Sequence, residues 1–169
     1  SRVAEPYWIH ENGVFEKKTA VYSPALLKIF DEILVNAIDR NSMYPKSVTA
    51  LSVSIDKLSG EISIENNGPL GGIAVKMHEK EGLWTPELTF GHLLTSTNYD
   101  DTQKRLVGGR NGYGSKLTNI FSTQFDVEIG DHNNGKKFKQ IWTDNMSATN
   151  KAKVTKYGKN TSYVQVTFY

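Results

Sequence analysis

An α/β sandwich of two layers, with a largely antiparallel sheet and helices packed on one face, is the fold class this sequence predicts. Three observations predict it. A long segment near the start carries apolar residues at helical spacing. Segments that alternate apolar and polar residues dominate the later chain. Turn signals separate those segments into hairpins rather than βαβ units.

Residues 1–22 read as irregular, with a strand around Tyr7-Trp8-Ile9. Ser23-Pro24 then has the form of a helix start, Ser as N-cap and Pro in the first helical position. Leu26, Leu27, Ile29, Phe30, Ile33, Leu34, Ala37 and Ile38 follow at helical spacing, so a helix is expected to about Asn41, before Pro45. Val48 to Asp56 and Glu61 to Glu65 alternate as strands around the turn Leu58-Ser59-Gly60, with Ile62 and Ile64 on one face. A punctuated loop, Asn66 to Gly72, comes next. Thr85-Pro86 repeats the cap-plus-proline signal and opens a helix through Leu88, Phe90, Leu93 and Leu94. Ser115 to Phe121 reads as helix, with Leu117, Ile120 and Phe121 on one face. The remainder alternates as strands at Phe125-Val127-Ile129, Phe138 to Ile141 and Val164-Val166-Phe168, the first pair joined through Asn134-Gly135.

The 169 residues suit one domain, 1–169, with a real core. No apolar run approaches the ~20 residues of a membrane span, and Ser1 to Pro6 has no apolar region of the signal-peptide kind. The missing initiator Met suggests a fragment. There is no cysteine, which excludes disulfides and zinc-thiolate sites and is compatible with a reducing compartment. The formal net charge of +2 does not by itself argue for DNA contact by this stretch, and the lysines of 151–159 are expected on a solvated face.

Three constellations can carry chemistry. Glu32, Asn36 and Asp39 stand at i, i+4 and i+7 and share a helix face opposite the apolar stripe. Periodicity alone favours a polar face turned to water. Turned into a pocket, that face offers a carboxylate that can take a proton from water and an amide oxygen that suits Mg²⁺. The run Gly108-Gly109-Arg110-Asn111-Gly112-Tyr113-Gly114-Ser115-Lys116 has four glycines in seven residues and leads into a helix. It can lie close to a ligand and present N–H groups to an anion, with Lys116 adding charge. It is neither a P-loop nor a dinucleotide fingerprint, because Ser-Lys replaces Lys-Ser and no third glycine follows; a surface loop is the bland alternative. Asn66-Asn67-Gly68 ends a strand and could read a base edge, or could be a plain turn.

In this order the three resemble the nucleotide site of the GHKL ATPases, the superfamily with the Bergerat fold. The sequence between them is more specific. Lys28 to Ala37, Leu93 to Asp101, Gly108 to Gly114, Asn119 to Thr123 and Phe138-Lys139-Gln140 resemble the eukaryotic-type and large-DNA-virus type IIA DNA topoisomerases over roughly residues 20–168. The resemblance implies an ATP-binding and ATP-hydrolysing gate domain, with nucleotide-driven dimer closure coupled to DNA strand passage. It implies Glu32 as general base and Asn36 as ligand of Mg²⁺ and the phosphates, with Asp39 in support. It places Asn66 at the adenine, and Ser96, Thr97 and Asn98 at the ribose and phosphates. It wraps Gly109, Arg110, Asn111, Gly112, Tyr113, Gly114, Ser115 and Lys116 around the phosphate tail.

The resemblance also implies ATP and Mg²⁺ as cofactors, a homodimer and DNA as partners of the full-length enzyme, and no membrane. The location implied is intracellular, nuclear in a cell or at a viral replication site. An N-terminal arm and a transducer domain are expected outside 1–169, leaving this piece mostly monomeric. Three departures stand out. The loop after Gly68 is longer than the family's, Val164 stands where a Thr is usual, and Arg40 replaces a small polar residue. The alternatives are another GHKL ATPase, of chaperone or mismatch-repair type, and a non-catalytic nucleotide-binding module.

Overall fold

The computed structural model describes residues 1–70, 72–92 and 113–169. The chain opens with β1 (Val3–Glu11) and β2 (Val14–Tyr22), a two-stranded antiparallel hairpin where only one short strand is expected from the sequence. Its turn is Asn12-Gly13, both with positive φ, 51° and 79°. That dipeptide matches the right-handed twist of a hairpin and is its strongest short-range signal. The stretch reads as irregular only if that signal is passed over.

Helix α1 (Pro24–Met43) starts with Pro in its first turn as expected, although the Ser23 side chain makes no cap and only its carbonyl joins the helix, accepting from the Leu27 amide at 3.1 Å. Strands β3 (Leu51–Ile55) and β4 (Ile62–Asn67) form the expected hairpin, closed by Asp56, whose carboxylate accepts from the Leu58 amide and the Ser59 hydroxyl at 2.9 Å each. A small hairpin, β5 (Met77–His78) with β6 (Leu83–Trp84), leads into α2 (Thr85–Gly91). The cap lies one residue earlier than Thr85-Pro86 suggests. Trp84 is the N-cap, and the Glu87 carboxylate accepts from its amide at 2.9 Å, while Thr85 donates to the Lys76 carbonyl. Leu93 and Leu94, expected in this helix, lie outside the described residues.

Helix α3 (Gly114–Ile120) precedes β7 (Gln124–Asp131), β8 (Lys136–Thr143), β9 (Ala148–Thr149), β10 (Lys153–Lys156) and β11 (Tyr163–Phe168). The main sheet runs β10-β8-β7-β11-β4-β3, with β9 beside β8, and every pairing among the described residues is antiparallel. The lysine-rich stretch expected only as a solvated face supplies the edge strand β10. Exposed Lys153 and Lys156 there discourage further strand addition.

Strict alternation places Phe125, Val127 and Ile129 of β7, Phe138 and Trp142 of β8, and Val164, Val166 and Phe168 of β11 on one buried face. Ile33 and Ala37 of α1 and Phe90 of α2 close that face. Phe125 is the hub, with its ring 6.0 Å from Phe90, 6.2 Å from Trp142 and 6.5 Å from Phe168. Each such aromatic contributes roughly 1.5–3 kcal/mol by leaving water. No helix among the described residues is long and apolar enough to cross a membrane.

Candidate functional site

Helix α1 does not turn its polar face away from the protein. Glu32, Asn36, Asp39 and Arg40 are half-buried beside the core residues Ile33 and Ala37. The exposed side is apolar: Leu27 is 47% exposed, Val35 39% and Ile38 45%. The expectation that the polar trio lies opposite the apolar stripe is therefore corrected. The trio flanks the stripe and faces inward, which is the condition for a pocket rather than a solvated surface.

Glu32 is held from two sides. The Lys28 ammonium, one turn earlier, lies 2.9 Å from Oε1, and this hydrogen bond raises the lysine pKa above its usual range. Across the site, the first residue of α3 abuts the carboxylate. A Cβ on Gly114 would stand 1.9 Å from Glu32 Oε2 and 2.7 Å from its Cδ, so any larger residue would push the carboxylate from this position. The acid of α1 and the end of the glycine-rich run are thus brought into contact.

Helix α3 buries its polar side. Leu117 and the C-cap residue Phe121 are 45% and 62% exposed, while Ser115, Lys116, Thr118 and Asn119 are buried. The polar side chains are used as ties. Thr118 donates to the Ile29 carbonyl of α1 at 2.9 Å, and Asn119 Nδ2 donates to the Phe90 carbonyl of α2 at 3.0 Å. Ser115 makes a longer contact, 3.4 Å, to the Thr89 carbonyl. Lys116 is only 4% exposed, and no carboxylate among the described residues lies within ion-pair distance of it. A buried cation in a helix's first turn is a suitable partner for an anionic ligand. Tyr113 precedes the helix at its N-cap position.

The third constellation divides into two roles. Ile62, Ile64 and Asn66 share one side of β4 by parity, so Asn66 points toward the helices and is 1% exposed. Arg40 Nη1 donates to Asn66 Oδ1 at 3.0 Å, and Asn66 Nδ2 donates to the Asn67 carbonyl at 3.1 Å. Burial pulls the Arg40 pKa down to about 10, partly offset by Asp39, so the guanidinium stays charged at neutral pH. Asn67 is structural: its Oδ1 accepts from the Thr49 and Ala50 amides at 2.9 Å each. Gly68 has φ +112°, and a Cβ there would meet the Ser47 carbonyl oxygen at 2.7 Å.

Glu32, Asn36, Asp39, Asn66, Tyr113, Gly114, Ser115 and Lys116 therefore lie on three elements, α1, α3 and the end of β4, that pack through α1. Ser96, Thr97, Asn98, Gly109, Arg110, Asn111 and Gly112 lie outside the described residues. Two hollows occur elsewhere, one on the open sheet face between Glu128, Lys139 and Gln165, the other between Leu70, Ile73 and Asn133; neither is lined by Glu32, Asn36 or Asn66. No group of three or more His, Asp or Glu among the described residues forms a metal cage. An Mg²⁺ bound by one amide oxygen and by ligand phosphates needs none, and Asn36 supplies such an oxygen. Lys28 and Arg40 were not among the expected site residues. The i, i+4 spacing of Lys28 to Glu32 was a readable signal; for the contact between Arg40 and Asn66, 26 residues apart, there was none.

No protein-family model matches the chain. Individual proteins do. The ATPase region of Saccharomyces cerevisiae topoisomerase II superposes with a TM-score of 0.88 at 45% identity, over 99% of this chain and 44% of that one. The ATPase domain of Thermus thermophilus gyrase B, at 22% identity and a TM-score of 0.62 over 83% of this chain and 32% of that one, shares the fold. These likenesses, with the inward acid-and-amide helix, define a GHKL ATPase domain. DNA topoisomerase 2 of Penicillium chrysogenum is 50% identical over 169 residues, 99% of this chain, and that of Pisum sativum 47% over 161 residues, 95% of it. The chain belongs to the eukaryotic-type DNA topoisomerase II family and corresponds to part of its ATPase region. It spans about a tenth of the length of these curated relatives, 10% and 11%.

Proposed function

We propose that this chain binds Mg·ATP and forms the hydrolysing centre of a type II DNA topoisomerase gate. In this reading nucleotide binding closes a dimer around DNA, and hydrolysis resets it. The observation that carries it is the contact of Gly114 with Glu32, which sets the end of the glycine-rich run against a carboxylate that can act as base. Glu32 takes a proton from the water that attacks the γ-phosphate, and Lys28 orients the carboxylate. The N–H groups that open α3 and the buried Lys116 hold the phosphate charge as it shifts to the leaving oxygen. Asn36 holds Mg²⁺ through its amide oxygen, with Asp39 in support; the ion, when bound, neutralises phosphate charge. Asn66 meets the adenine from the end of β4. Ser96 to Asn98 and Gly109 to Gly112 complete the ribose and phosphate contacts. Closure follows if nucleotide binds the closed state more tightly than the open one. DNA and the second subunit are partners of the full-length protein, which acts in the nucleus of a cell or at a viral replication site.

Thermal unfolding with a non-hydrolysable ATP analogue and Mg²⁺ tests the site directly. At 100 times its Kd the ligand stabilises by about 2.7 kcal/mol, a rise of about 5–11 °C for a domain of this size. Asn36→Ala should abolish the rise. An unchanged rise in that variant would remove Asn36 from the site, and no rise in folded wild type, repeated on a longer chain, would remove the nucleotide.

A further inference from the structure

A neutral amide at the base of a purine pocket is ambiguous. Its oxygen accepts, its nitrogen donates, and a rotation of 180° about the last side-chain bond exchanges them. Adenine presents an amino donor at C6, whereas guanine presents a carbonyl acceptor there. Which purine Asn66 prefers therefore depends on which end of its amide faces the ligand.

Asn66 is 1% exposed, so the protein groups around it, and not bulk water, orient its amide. Its cross-strand partner on β11, Val164, is 1% exposed and has no hydrogen-bonding side-chain atom. The donor comes from α1: Arg40 Nη1 reaches Oδ1 at 3.0 Å. At the other end Nδ2 donates to the Asn67 carbonyl at 3.1 Å. Rotating the amide would set Nδ2 against the guanidinium donor and Oδ1 against a carbonyl acceptor. A guanidinium cannot reverse its role, because it has no acceptor atom. One contact occupies only one of the two lone pairs on Oδ1 and leaves the other for an incoming donor.

We propose that Arg40 is a specificity-determining residue, which locks the Asn66 amide with its oxygen as the acceptor and so selects adenine over guanine. The inference rests on Asn66 being the base-reading residue of the proposed function. It adds a role for a residue whose charge alone would serve any nucleotide equally. General attraction to phosphate cancels in a ratio of two nucleotides, so the ratio isolates the lock.

The experiment is equilibrium binding of Mg·AMP-PNP and Mg·GMP-PNP, each titrated into wild type, Arg40→Lys, Arg40→Met and the double variant Arg40→Met/Asn66→Asp. Circular dichroism checks that each is folded. Wild type should favour the adenine nucleotide. Arg40→Lys keeps a donor and should keep the preference. Arg40→Met should lower the adenine-to-guanine affinity ratio about tenfold, the scale of one hydrogen bond from a charged donor. The double variant should restore it, since both oxygens of a carboxylate accept and its orientation no longer matters. Should Arg40→Met not fold, Arg40→Gln, neutral and two bonds shorter, replaces it. An Arg40→Met that weakens both nucleotides equally, with the ratio unchanged, overturns the lock and leaves the nucleotide site standing. A folded wild type that binds neither nucleotide overturns the site itself, and the lock with it.

Discussion

At Gly114 the absence of a single carbon sets the spacing of the site. A methyl group there would stand 1.9 Å from Glu32 Oε2 and 3.1 Å from its Cβ, while alanine itself suits a helix better than glycine. The carboxylate end can swing aside, so Gly114→Ala should fold. Its displaced carboxylate should lower ATP hydrolysis by the full-length enzyme about 10²-fold, with nucleotide binding kept. Comparing single-turnover hydrolysis with analogue affinity checks this; equal losses in both would mean that Gly114 serves the phosphates and not the base. Much at this scale was readable beforehand. Ile62 and Ile64 on one face extend by parity to Asn66, and i, i+4 spacing joins Lys28 to Glu32. The Arg40 contact was not readable, because it joins two elements through tertiary packing and follows no local period.

Helix α3 shows that recognising an element does not say which way it turns. Its seven residues were legible as a helix, but its apolar side faces outward and its polar side is tied to α1 and α2. Thr118→Val, nearly equal in volume, removes the donor to the Ile29 carbonyl and should destabilise the domain by about 1–2 kcal/mol. Leu117→Gln on the exposed side should change stability by less than about 0.5 kcal/mol. Urea unfolding of both variants decides the matter, and the reverse ranking would mean that α3 packs through Leu117. A hydrophobic-moment argument ranks them the other way, since it assumes that the more apolar side is the buried one. That assumption fails where a short helix must satisfy the carbonyls of two neighbours. Helix α1 breaks it too, with Val35 and Ile38 exposed beside a half-buried Glu32 and Asn36.

At the scale of the whole molecule, the pH dependence of folding should carry the mark of one carboxylate on the open face of the sheet. Burial raises the Glu128 pKa, but hydrogen bonds from Lys137, Lys139 and Tyr163 outweigh it and hold the group down to about 2. The lysines lie at 2.9 and 2.6 Å, and these contacts tie β7 to β8 and β11. A carboxylate depressed on folding adds stability above its unfolded value, near 4.5, and that contribution disappears as pH falls through the folded value. Glu128→Gln should therefore be destabilised by about 1–2 kcal/mol at pH 7 and converge with wild type between about pH 4.5 and 2. Parallel melting curves, offset equally at every pH, would show that the cluster contributes packing and not charge.

The sequence by itself determined the family, the strand and helix periods and the antiparallel character of the late chain. These depend on local spacing and on ordered motifs, which need no knowledge of what lies across the core. Tertiary structure decided which faces of α1 and α3 turn inward, that Gly114 meets Glu32, and that Arg40 reaches Asn66. A period sets the angles between side chains within one element. The direction in which the whole set points is settled by the partners that other elements offer: carbonyls at Ile29 and Phe90 for α3, and an amide at the end of β4 for α1.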